Sequence, residues 1–255
     1  MPKVSVITLT KDRVAFLERA LAGIGRQTYV GYEVIVVDDG SADSTQNTIE
    51  RLSARGGSAT GGKNLKIIRH ATSLGITASR QEALEAAAGE YVAILDDDDE
   101  WVDENKLKKQ AEFLDAHPEV ALVGGGIEIA KFKNKKIQKF RPQSDSRIRR
   151  TMLLRNNFFT STVMFRRAAA LQAGGFLADG ADVAEDYDLW LRLGRLGKFY
   201  NFQEVFTAYR QPSYNKERFK QFLAKQLRLI QKHRDDYPFA FIAKVILRIR
   251  ILLKD

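Results

Sequence analysis

The chain has 255 residues, of which 44% are hydrophobic and 29% are charged, a balance typical of a soluble globular protein with a sizeable core. It contains no cysteine, which excludes disulfide bonds and thiolate metal ligands. The N-terminus lacks the apolar segment of a signal peptide, and no apolar run reaches the ~18 residues of a transmembrane helix. We therefore expect a cytoplasmic protein.

The formal net charge of +9 is unevenly distributed along the chain. Residues 131–150 carry a net charge of +8 and residues 216–255 carry +7, which leaves −6 on the rest of the chain. This is the pattern of an acidic body with two basic patches, and not that of a uniformly basic nucleic-acid binder. The patches suit an anionic membrane surface, an anionic substrate or nucleic acid, or they are solvated basic faces.

The first hundred residues alternate between apolar strands and amphipathic helices. Strand patterns cover residues 3–9, 33–41, 65–69 and 91–95, and helical patterns cover residues 14–26, 41–55 and 76–88. Strands that are apolar throughout are typical of a parallel sheet buried on both faces. The alternation predicts a doubly wound, mostly parallel, Rossmann-like α/β sheet with right-handed crossovers. The glycine-rich stretch 56–62 has no Lys-Ser/Thr pair after it, so we interpret it as a surface loop.

The second half of the chain is less regular and predicts a mixed α/β arrangement. Helices are expected over residues 104–117, 145–154, 167–173 and 184–193, strands over 120–130, 160–165 and 204–210, and an exposed hairpin over 132–140. Three consecutive glycines inside the strand 120–130 indicate a bulged or closely packed middle. The last forty residues predict two basic amphipathic helices, which either bind a membrane surface or partner or pack on their own domain.

The most unusual feature is the run Asp96–Asp99, which follows the predicted strand 91–95 directly. Four adjacent carboxylates repel one another, and a hard cation would relieve that repulsion by binding their oxygens. In open α/β sheets, ligands bind beyond the carboxyl ends of the strands. The polar side chains at the predicted strand ends are Thr8, Thr10, Asp38, Asp39 and the aspartate run itself. Their convergence predicts one metal- or ligand-binding crevice; the alternative is an acidic helix N-terminus capped by Asp99 or Asp103.

Several motifs, in chain order, resemble those of family 2 glycosyltransferases with the GT-A fold. They are SVITLTKDR at 5–13, VVDDGS at 36–41, LDDDDEW at 95–101, AEDYDLW at 184–190, and, for the acceptor half, FRR at 165–167 with GGF at 174–176. The resemblance covers residues 3–211. It implies that a sugar moves from a nucleotide-sugar, most often a UDP-sugar, to an acceptor hydroxyl with inversion at the anomeric carbon.

This resemblance also implies where the donor nucleotide binds. Thr8 and Thr10 would line the nucleotide pocket, and Asp39, together with Asp38, would hydrogen-bond the base. Arg80 matches an arginine that faces the nucleotide. If the resemblance is set aside, the alternative is that Asp39 only forms a turn before a glycine. Arg80 is then an ordinary residue on a helix surface.

The aspartate run matches the Asp-x-Asp signature of the family. Asp96 would lie near the ribose and Asp98 would bind Mg²⁺ or Mn²⁺, which neutralises the diphosphate leaving group. In the other register, Asp97 and Asp99 are the two acids of the signature. The sequence is compatible with both registers.

Two adjacent acids match the catalytic end of the family pattern. Asp186 matches the catalytic base, and Glu185 is the acid before it. A positioned carboxylate can take the proton of an attacking hydroxyl, which is typically worth ~10²–10⁴-fold in rate. The alternative is that Asp186 is only an acidic residue at a helix N-terminus.

The chain departs from the family pattern in three places. Lys11-Asp12 stands in place of an aromatic-Asn pair, and Gln211 follows Tyr209-Arg210 where the family often has a histidine. The Gln-x-x-Arg-Trp motif of processive members is absent, which favours single additions over polymerisation. The three histidines, His70, His117 and His233, lack metal-ligand spacing and are interpreted as structural or surface residues.

The predicted organisation is a GT-A domain over residues 1–215 and a basic helical tail over 216–255. The domain divides into a nucleotide-binding half, 1–100, and an acceptor-binding half, 101–215. The expected partners are a nucleotide-sugar donor, a glycan or lipid-linked acceptor of cell-surface polysaccharide or lipopolysaccharide biosynthesis, and an anionic membrane surface bound by the tail. No nucleic acid is expected.

Two other functional classes remain as alternatives. A sugar-nucleotide nucleotidyltransferase would need a glycine-rich loop with Arg and Lys after the first strand, and residues 8–13 contain no glycine. A receiver-like signalling domain would use Asp38-Asp39 as its acidic cluster, but it has no role for the acids at 96–99 and 185–186.

Overall fold

The computed structural model describes residues 1–45, 47–49, 64–130, 135–177, 183–211 and 216–252. The strands are β1 Val4–Thr10, β2 Tyr32–Asp38, β3 Leu65–Arg69, β4 Tyr91–Ile94, β5 Glu100–Trp101, β6 Val120–Ala130, β7 Lys136–Lys139, β8 Met164–Arg166 and β9 Lys198–Ala208. The helices are α1 Val14–Gly25, α2 Ile76–Ala86, α3 Lys106–Ala116, α4 Asp145–Thr151, α5 Arg167–Gln172, α6 Glu185–Leu193, α7 Lys216–Lys232 and α8 Ala240–Leu252.

The strands of the described residues form one sheet in the order β3-β2-β1-β4-β8-β6-β9-β5, with β7 paired to β6. β1 lies parallel to both β2 and β4, and β2 lies parallel to β3. β1, β2 and β4 are covered on both faces, which explains why their sequences are apolar almost throughout. The predicted parallel α/β half is confirmed.

β8 joins the parallel half to a mixed half, because it lies antiparallel to both β4 and β6. β6 has the predicted bounds and runs parallel to β9, with register shifts around Gly124 and Gly126. A Cβ atom at Gly125 would lie 2.3 Å from Cδ2 of Phe206, so only glycine lets this ring pack against the strand. The predicted bulged and closely packed middle of β6 is confirmed.

The main differences from the sequence prediction concern two predicted strands and one additional strand. Residues 160–165 were expected to be a strand, but Thr160–Thr162 form a 3₁₀ turn and only Met164–Arg166 pair in the sheet. Hydroxyl hydrogen bonds account for the turn, because Thr162 Oγ1 donates to the carbonyl oxygen of Phe159 at 2.7 Å. The last strand begins at Lys198 instead of Glu204, and the short strand β5 was not predicted.

Three predicted segments fall partly or wholly beyond the described residues. Of the predicted helix 41–55, the structure describes 41–45 and 47–49, and the glycine-rich stretch 56–62 lies outside. Within the predicted hairpin 132–140, only residues 136–139 form a strand, β7, which pairs antiparallel with β6, and residues 131–134 lie outside the described residues.

The tail folds into the two predicted helices, α7 and α8, and both pack on the body. Six buried tail side chains belong to the same apolar cluster as Trp190 of α6: Leu223, Leu229, Ile230, Tyr237, Ala243 and Leu247. Within the described ranges, no helix combines the length and apolar character that crossing a membrane requires.

Candidate active site

The four aspartates after β4 alternate between two environments. Asp97 accepts hydrogen bonds from Thr10 Oγ1 at 2.9 Å and Arg13 Nη1 at 3.1 Å. Asp99 accepts the Ser161 hydroxyl and, at 2.8 Å, the backbone N–H of Arg210. The aspartates at 97 and 99 therefore direct both carboxylate oxygens at protein donors.

The other two aspartates remain more accessible. The side chains of Asp96 and Asp98 are 35% and 24% exposed, and Asp98 Oδ2 lies 3.5 Å from Arg13 Nη1.

Burial raises the pKa of Asp97 to about 6 and that of Asp99 to about 8, although hydrogen bonds from neighbouring hydroxyls act in the opposite direction. The run also forms a local turn, in which the Asp99 N–H donates to the Asp96 carbonyl oxygen at 3.1 Å.

The helix-capping alternative does not describe this loop. Asp99 is occupied by Ser161 and Arg210, and Asn105 at the start of α3 makes no side-chain capping hydrogen bond. Asp103 accepts the Asn105 backbone N–H at 2.8 Å, and the Gln27 side chain accepts the Leu107 N–H at 3.0 Å, so both shape the entry to α3.

Arg80 of α2 connects the aspartate loop to α6. Its side chain is 3% exposed, its Nη2 atom donates to Asp96 Oδ1 at 2.6 Å, and its Nη1 atom donates to Glu185 Oε1. Burial alone would lower the pKa of Arg80, but the charges of Asp96, Glu185 and Asp186 raise it above its ordinary value. The interpretation of Arg80 as a helix-surface residue is wrong, because it is a buried cation between two acids.

Glu185 and the predicted catalytic base, Asp186, open helix α6. Ala184 before them has a left-handed backbone with φ 57°, which turns the chain into the helix. Asp186 Oδ2 accepts the Thr160 hydroxyl, and its Oδ1 accepts the Tyr187 backbone N–H at 2.6 Å. Burial raises the pKa of Glu185, the nearby charge of Asp186 adds to this rise, and the Arg80 guanidinium opposes it.

A pocket of about 320 Å³ lies where these groups meet. Its polar lining comes from Arg80, Asp96, Thr160, Glu185 and Asp186, and its apolar lining from Ile76, Val183, Ala184, Tyr209 and Phe222. The structure thus brings together predicted site residues from α2, from the loop after β4 and from α6. Within the described ranges, no three carboxylate or imidazole side chains are grouped so that they could hold a metal ion.

The predicted base-binding residues lie at the ends of β1 and β2, outside the lining of this pocket. Thr8 is fully buried, and its hydroxyl has no hydrogen-bond partner among the described residues. Asp38 Oδ1 accepts the Ser41 backbone N–H at 3.0 Å, and its buried Oδ2 has no hydrogen-bond partner among them. Arg69 Nε lies 3.9 Å from that oxygen.

Asp39 is held by four hydrogen bonds to its carboxylate. They come from His70 Nδ1 at 2.8 Å, Ser73 Oγ at 2.6 Å, and the backbone N–H groups of Leu74 at 2.7 Å and Gly75 at 3.1 Å. Burial would raise the pKa of Asp39, but these bonds outweigh it and hold the pKa well below its ordinary value. Asp39 therefore organises the segment that leads into α2, a more specific role than that of a turn residue before Gly40.

Several residues of this region were not predicted to have a role at the site. Thr160, Ser161, Tyr209 and Phe222 contact the predicted acids or line the pocket. Thr160 and Ser161 lie in a segment whose sequence predicts a strand. The alternating pattern of a strand does not indicate which hydroxyls donate hydrogen bonds to acids. Phe222 fits the apolar face of its helix, so its sequence pattern indicates only packing.

Residues 5–174 match the sequence profile described as Glycosyl transferase family 2, and this match spans two thirds of the chain. The chain belongs to the family 2 glycosyltransferases. The predicted family is thereby confirmed, and neither the nucleotidyltransferase nor the receiver-like alternative retains support. Glu185, Asp186 and the whole tail lie beyond the matched residues.

Curated proteins show the same likeness. An uncharacterised protein of Mycobacterium tuberculosis is 32% identical over 166 residues, which cover 64% of this chain and 46% of that protein. The amylovoran biosynthesis glycosyltransferase AmsE of Erwinia amylovora is 28% identical over 200 residues, which cover 77% of this chain and 71% of that protein. The chain spans less than half the length of the first of these relatives.

Solved structures show the same fold at lower identity. The Staphylococcus aureus TarS 1-349 structure in complex with UDP has a TM-score of 0.69 at 21% identity, covering 89% of this chain and 65% of that one. The mannosyltransferase PcManGT from Pyrobaculum calidifontis, in complex with GDP-Man and Mn²⁺, has a TM-score of 0.69 at 23% identity, covering 97% of this chain and 68% of that one. The predicted GT-A fold is confirmed.

Proposed function

We propose that this glycosyltransferase moves a sugar from a nucleoside-diphosphate sugar to an acceptor hydroxyl, with inversion at the anomeric carbon. The observation that carries the proposal is the pocket in which Arg80, Asp96 and Asp186 meet at the carboxyl edge of the parallel strands. A relative in amylovoran biosynthesis supports a product in cell-surface polysaccharide, with lipopolysaccharide as the related class. We propose that the transferred unit is a hexose and that one unit is added per acceptor.

For the donor we propose a UDP-sugar. The TarS structures hold UDP and UDP-GlcNAc, and PcManGT holds GDP-Man, so both neighbours take a nucleoside diphosphate. The ends of β1 and β2, with Thr8, Thr10, Asp38 and Asp39, are the proposed site of the base. Because Asp39 already accepts four protein hydrogen bonds, a base would replace one of them, and the rotatable Ser73 hydroxyl is the donor that can leave.

For the metal we propose Mg²⁺ or Mn²⁺ bound through Asp98, with Asp96 beside the ribose. The more accessible carboxylates at 96 and 98 fit such an ion, which takes one or two carboxylates and completes its shell with phosphate oxygens and water. Arg13, whose side chain is half exposed, can move away from Asp98. When bound, the ion neutralises charge on the diphosphate leaving group.

For the catalytic base we propose Asp186. One of its oxygens accepts the Thr160 hydroxyl and the other a backbone N–H, which together fix the carboxylate at the pocket wall. As the acceptor oxygen bonds to the anomeric carbon, the bond from that carbon to the diphosphate oxygen breaks, and the acceptor proton passes to Asp186. Glu185 holds Arg80 in place, and Arg80 supplies fixed positive charge beside the donor.

A calorimetric and thermal-shift panel of nucleotide-sugars tests the donor and the metal together. We expect wild-type protein to bind at least one UDP-sugar more tightly with Mn²⁺ than with a chelator. Asp98→Ala should lose this metal dependence, and Glu104→Ala, an exposed acid near the same loop, is the matched control. Absence of nucleotide-sugar binding by the wild type would overturn the function, and an Asp98→Ala enzyme with normal metal-dependent turnover would overturn the metal assignment.

For the tail we propose peripheral binding to an anionic inner membrane face, where a lipid-linked acceptor would be presented to a cytoplasmic enzyme. The inner side of α8 packs on the body through Ala243 and Leu247. Its outer side exposes Phe241, Ile242, Val245, Ile246 and Ile249. Lys244, Arg248 and Arg250 lie among them, so the exposed face is both apolar and basic.

Sedimentation with vesicles containing anionic lipid tests the tail proposal. We expect wild-type protein to co-sediment and Phe241→Asp with Ile249→Asp to remain in solution. Val30→Asp with Ile137→Asp, which places the same two charges on exposed apolar residues outside the tail, should sediment like the wild type. If wild-type protein does not sediment, or if the double variant of the tail sediments equally, the tail does not bind the membrane.

A further inference from the structure

The tail contributes a side chain to the candidate active site. Phe222 of α7 lines the 320 Å³ pocket together with Arg80, Asp96 and Asp186. Phe222 lies well beyond residues 5–174, the part of the chain that matches the family profile. One wall of the pocket therefore comes from a segment that the family match does not cover.

The walls of the pocket differ in chemistry. The lining combines the carboxylates of Asp96 and Asp186 and the guanidinium of Arg80 with apolar groups, among them Phe222 and Val183. A pyranose ring has the matching chemistry, because its C–H groups form an apolar face and its hydroxyls lie around the edge. An aromatic ring covers such a face, while carboxylates accept hydrogen bonds from the hydroxyls.

The size of the pocket favours a single sugar ring. Its volume of about 320 Å³ lies at the lower end of the range of ligand pockets, roughly 300–1,000 Å³. A whole nucleotide-sugar would extend beyond it toward the ends of β1 and β2. The pocket therefore fits the sugar unit next to the reacting centre.

Phe222 is held in place by the packing of α7. Leu223, next in the chain, belongs to the core cluster, and Phe222 itself is half-buried against that cluster. At the end of the same helix, Lys232 Nζ lies 2.9 Å from Asp188 Oδ1 on α6, the helix that begins with Glu185 and Asp186. The aromatic wall and the catalytic acids are thus parts of one packed unit.

We propose that Phe222 is a specificity-determining residue whose ring stacks on the C–H face of a pyranose in this pocket. The inference rests on the proposed function. The pyranose belongs either to the donor or to the acceptor, and the two sources differ in which measured constant depends on Phe222.

The test compares Phe222→Ala, Phe222→Leu and Phe222→Trp with wild-type enzyme. Phe202→Ala is the matched control, because Phe202 is also half-buried among aromatic rings and lies outside the pocket lining. We measure thermal stability, the affinity for UDP and for the UDP-sugar, and the KM for acceptor. Loss of one stacking face should weaken the relevant constant about 10-fold, as ~1.4 kcal/mol does. Phe222→Trp should retain it, and Phe222→Leu should fall between.

The outcomes distinguish the two sources of the sugar. If Phe222→Ala weakens UDP-sugar affinity but leaves UDP affinity unchanged, the donor sugar stacks on the ring. If it raises the acceptor KM with donor affinity unchanged, the acceptor sugar does. Folded Phe222→Ala protein with all constants at wild-type values overturns the inference while the proposed function stands. Wild-type protein that binds no nucleotide-sugar overturns the proposed function itself.

Discussion

Arg80 lies 2.6 Å from Asp96, and this contact joins helix α2 to the aspartate loop after β4. The other terminal nitrogen of Arg80 donates to Glu185, so one buried guanidinium fixes acids from two distant parts of the chain. The planar fork of arginine suits this task, because its nitrogens point toward two partners at once. This side chain therefore links the predicted ribose-side acid directly to helix α6.

Replacing Arg80 should impair both activity and stability. In Arg80→Lys, one ammonium cannot reach Asp96 and Glu185 together, so we expect kcat/KM to fall by about 10²-fold or more. In Arg80→Ala, two buried acids lose their counter-charge, which should cost about 3–5 kcal/mol of unfolding free energy. Steady-state kinetics and urea denaturation measure these effects, with the exposed Arg147→Lys as control. Wild-type kinetics in Arg80→Lys would contradict the assignment.

Asp186→Asn should separate catalysis from donor binding. The amide oxygen of asparagine can still accept the Thr160 hydroxyl, but the amide no longer offers an acceptor to the Tyr187 N–H and cannot take a proton. We expect kcat to fall by about 10²–10⁴-fold while the calorimetric affinity for the UDP-sugar stays unchanged. Asp235→Asn, whose side chain is 89% exposed, is the control. Turnover at the wild-type rate would remove Asp186 as the base.

The parallel half of the fold could be predicted because its signals are local. Apolar runs such as Val34–Val37 are buried on both faces, and β6 has the predicted bounds because its burial matches its apolar pattern. The mixed half was less predictable, since hydroxyl hydrogen bonds decide between turn and strand at Thr160–Thr162.

The candidate site was predictable in its residue types but not in its contacts. Which aspartates point outward depends on Ser161 and Arg210, whose hydrogen bonds to Asp99 join residues 62 and 111 positions apart in the chain. The four groups that donate hydrogen bonds to the Asp39 carboxylate likewise belong to distant residues, which follow the strand β3 in the chain. No periodicity along the chain carries information about such pairs, because they form only when distant elements pack.

His70 should make stability depend on pH. Its Nδ1 and Nε2 atoms each lie 2.8 Å from a carboxylate oxygen, of Asp39 and Glu82 respectively. Burial lowers the pKa of His70, but these two acids outweigh it and raise the pKa above the ordinary value. The resulting stabilisation is full below pH ~6.5, the ordinary value, and is lost as the pH rises through the folded-state pKa.

Thermal unfolding of wild type and His70→Gln between pH 5 and pH 9 measures this effect. We expect the wild-type Tm to exceed that of His70→Gln most at the acidic end, with a difference that shrinks toward the basic end. Glu82→Gln removes one of the two acids and should reduce the dependence without abolishing it. Parallel Tm profiles for wild type and His70→Gln would show that the histidine is not charged in the folded state.

Asp188 should anchor the tail to helix α6. It is 4% exposed, and it accepts hydrogen bonds from Arg192 of α6 and Lys232 of α7, each at 2.9 Å. Asp188→Ala leaves the buried Arg192 guanidinium without its counter-charge, so we expect a loss of about 3–5 kcal/mol and earlier proteolytic cleavage within the tail. Asp235→Ala, at an exposed site of the same tail, should stay within about 0.5 kcal/mol of wild type. Equal stability and cleavage rates for both variants would show that the tail is held by its apolar contacts alone.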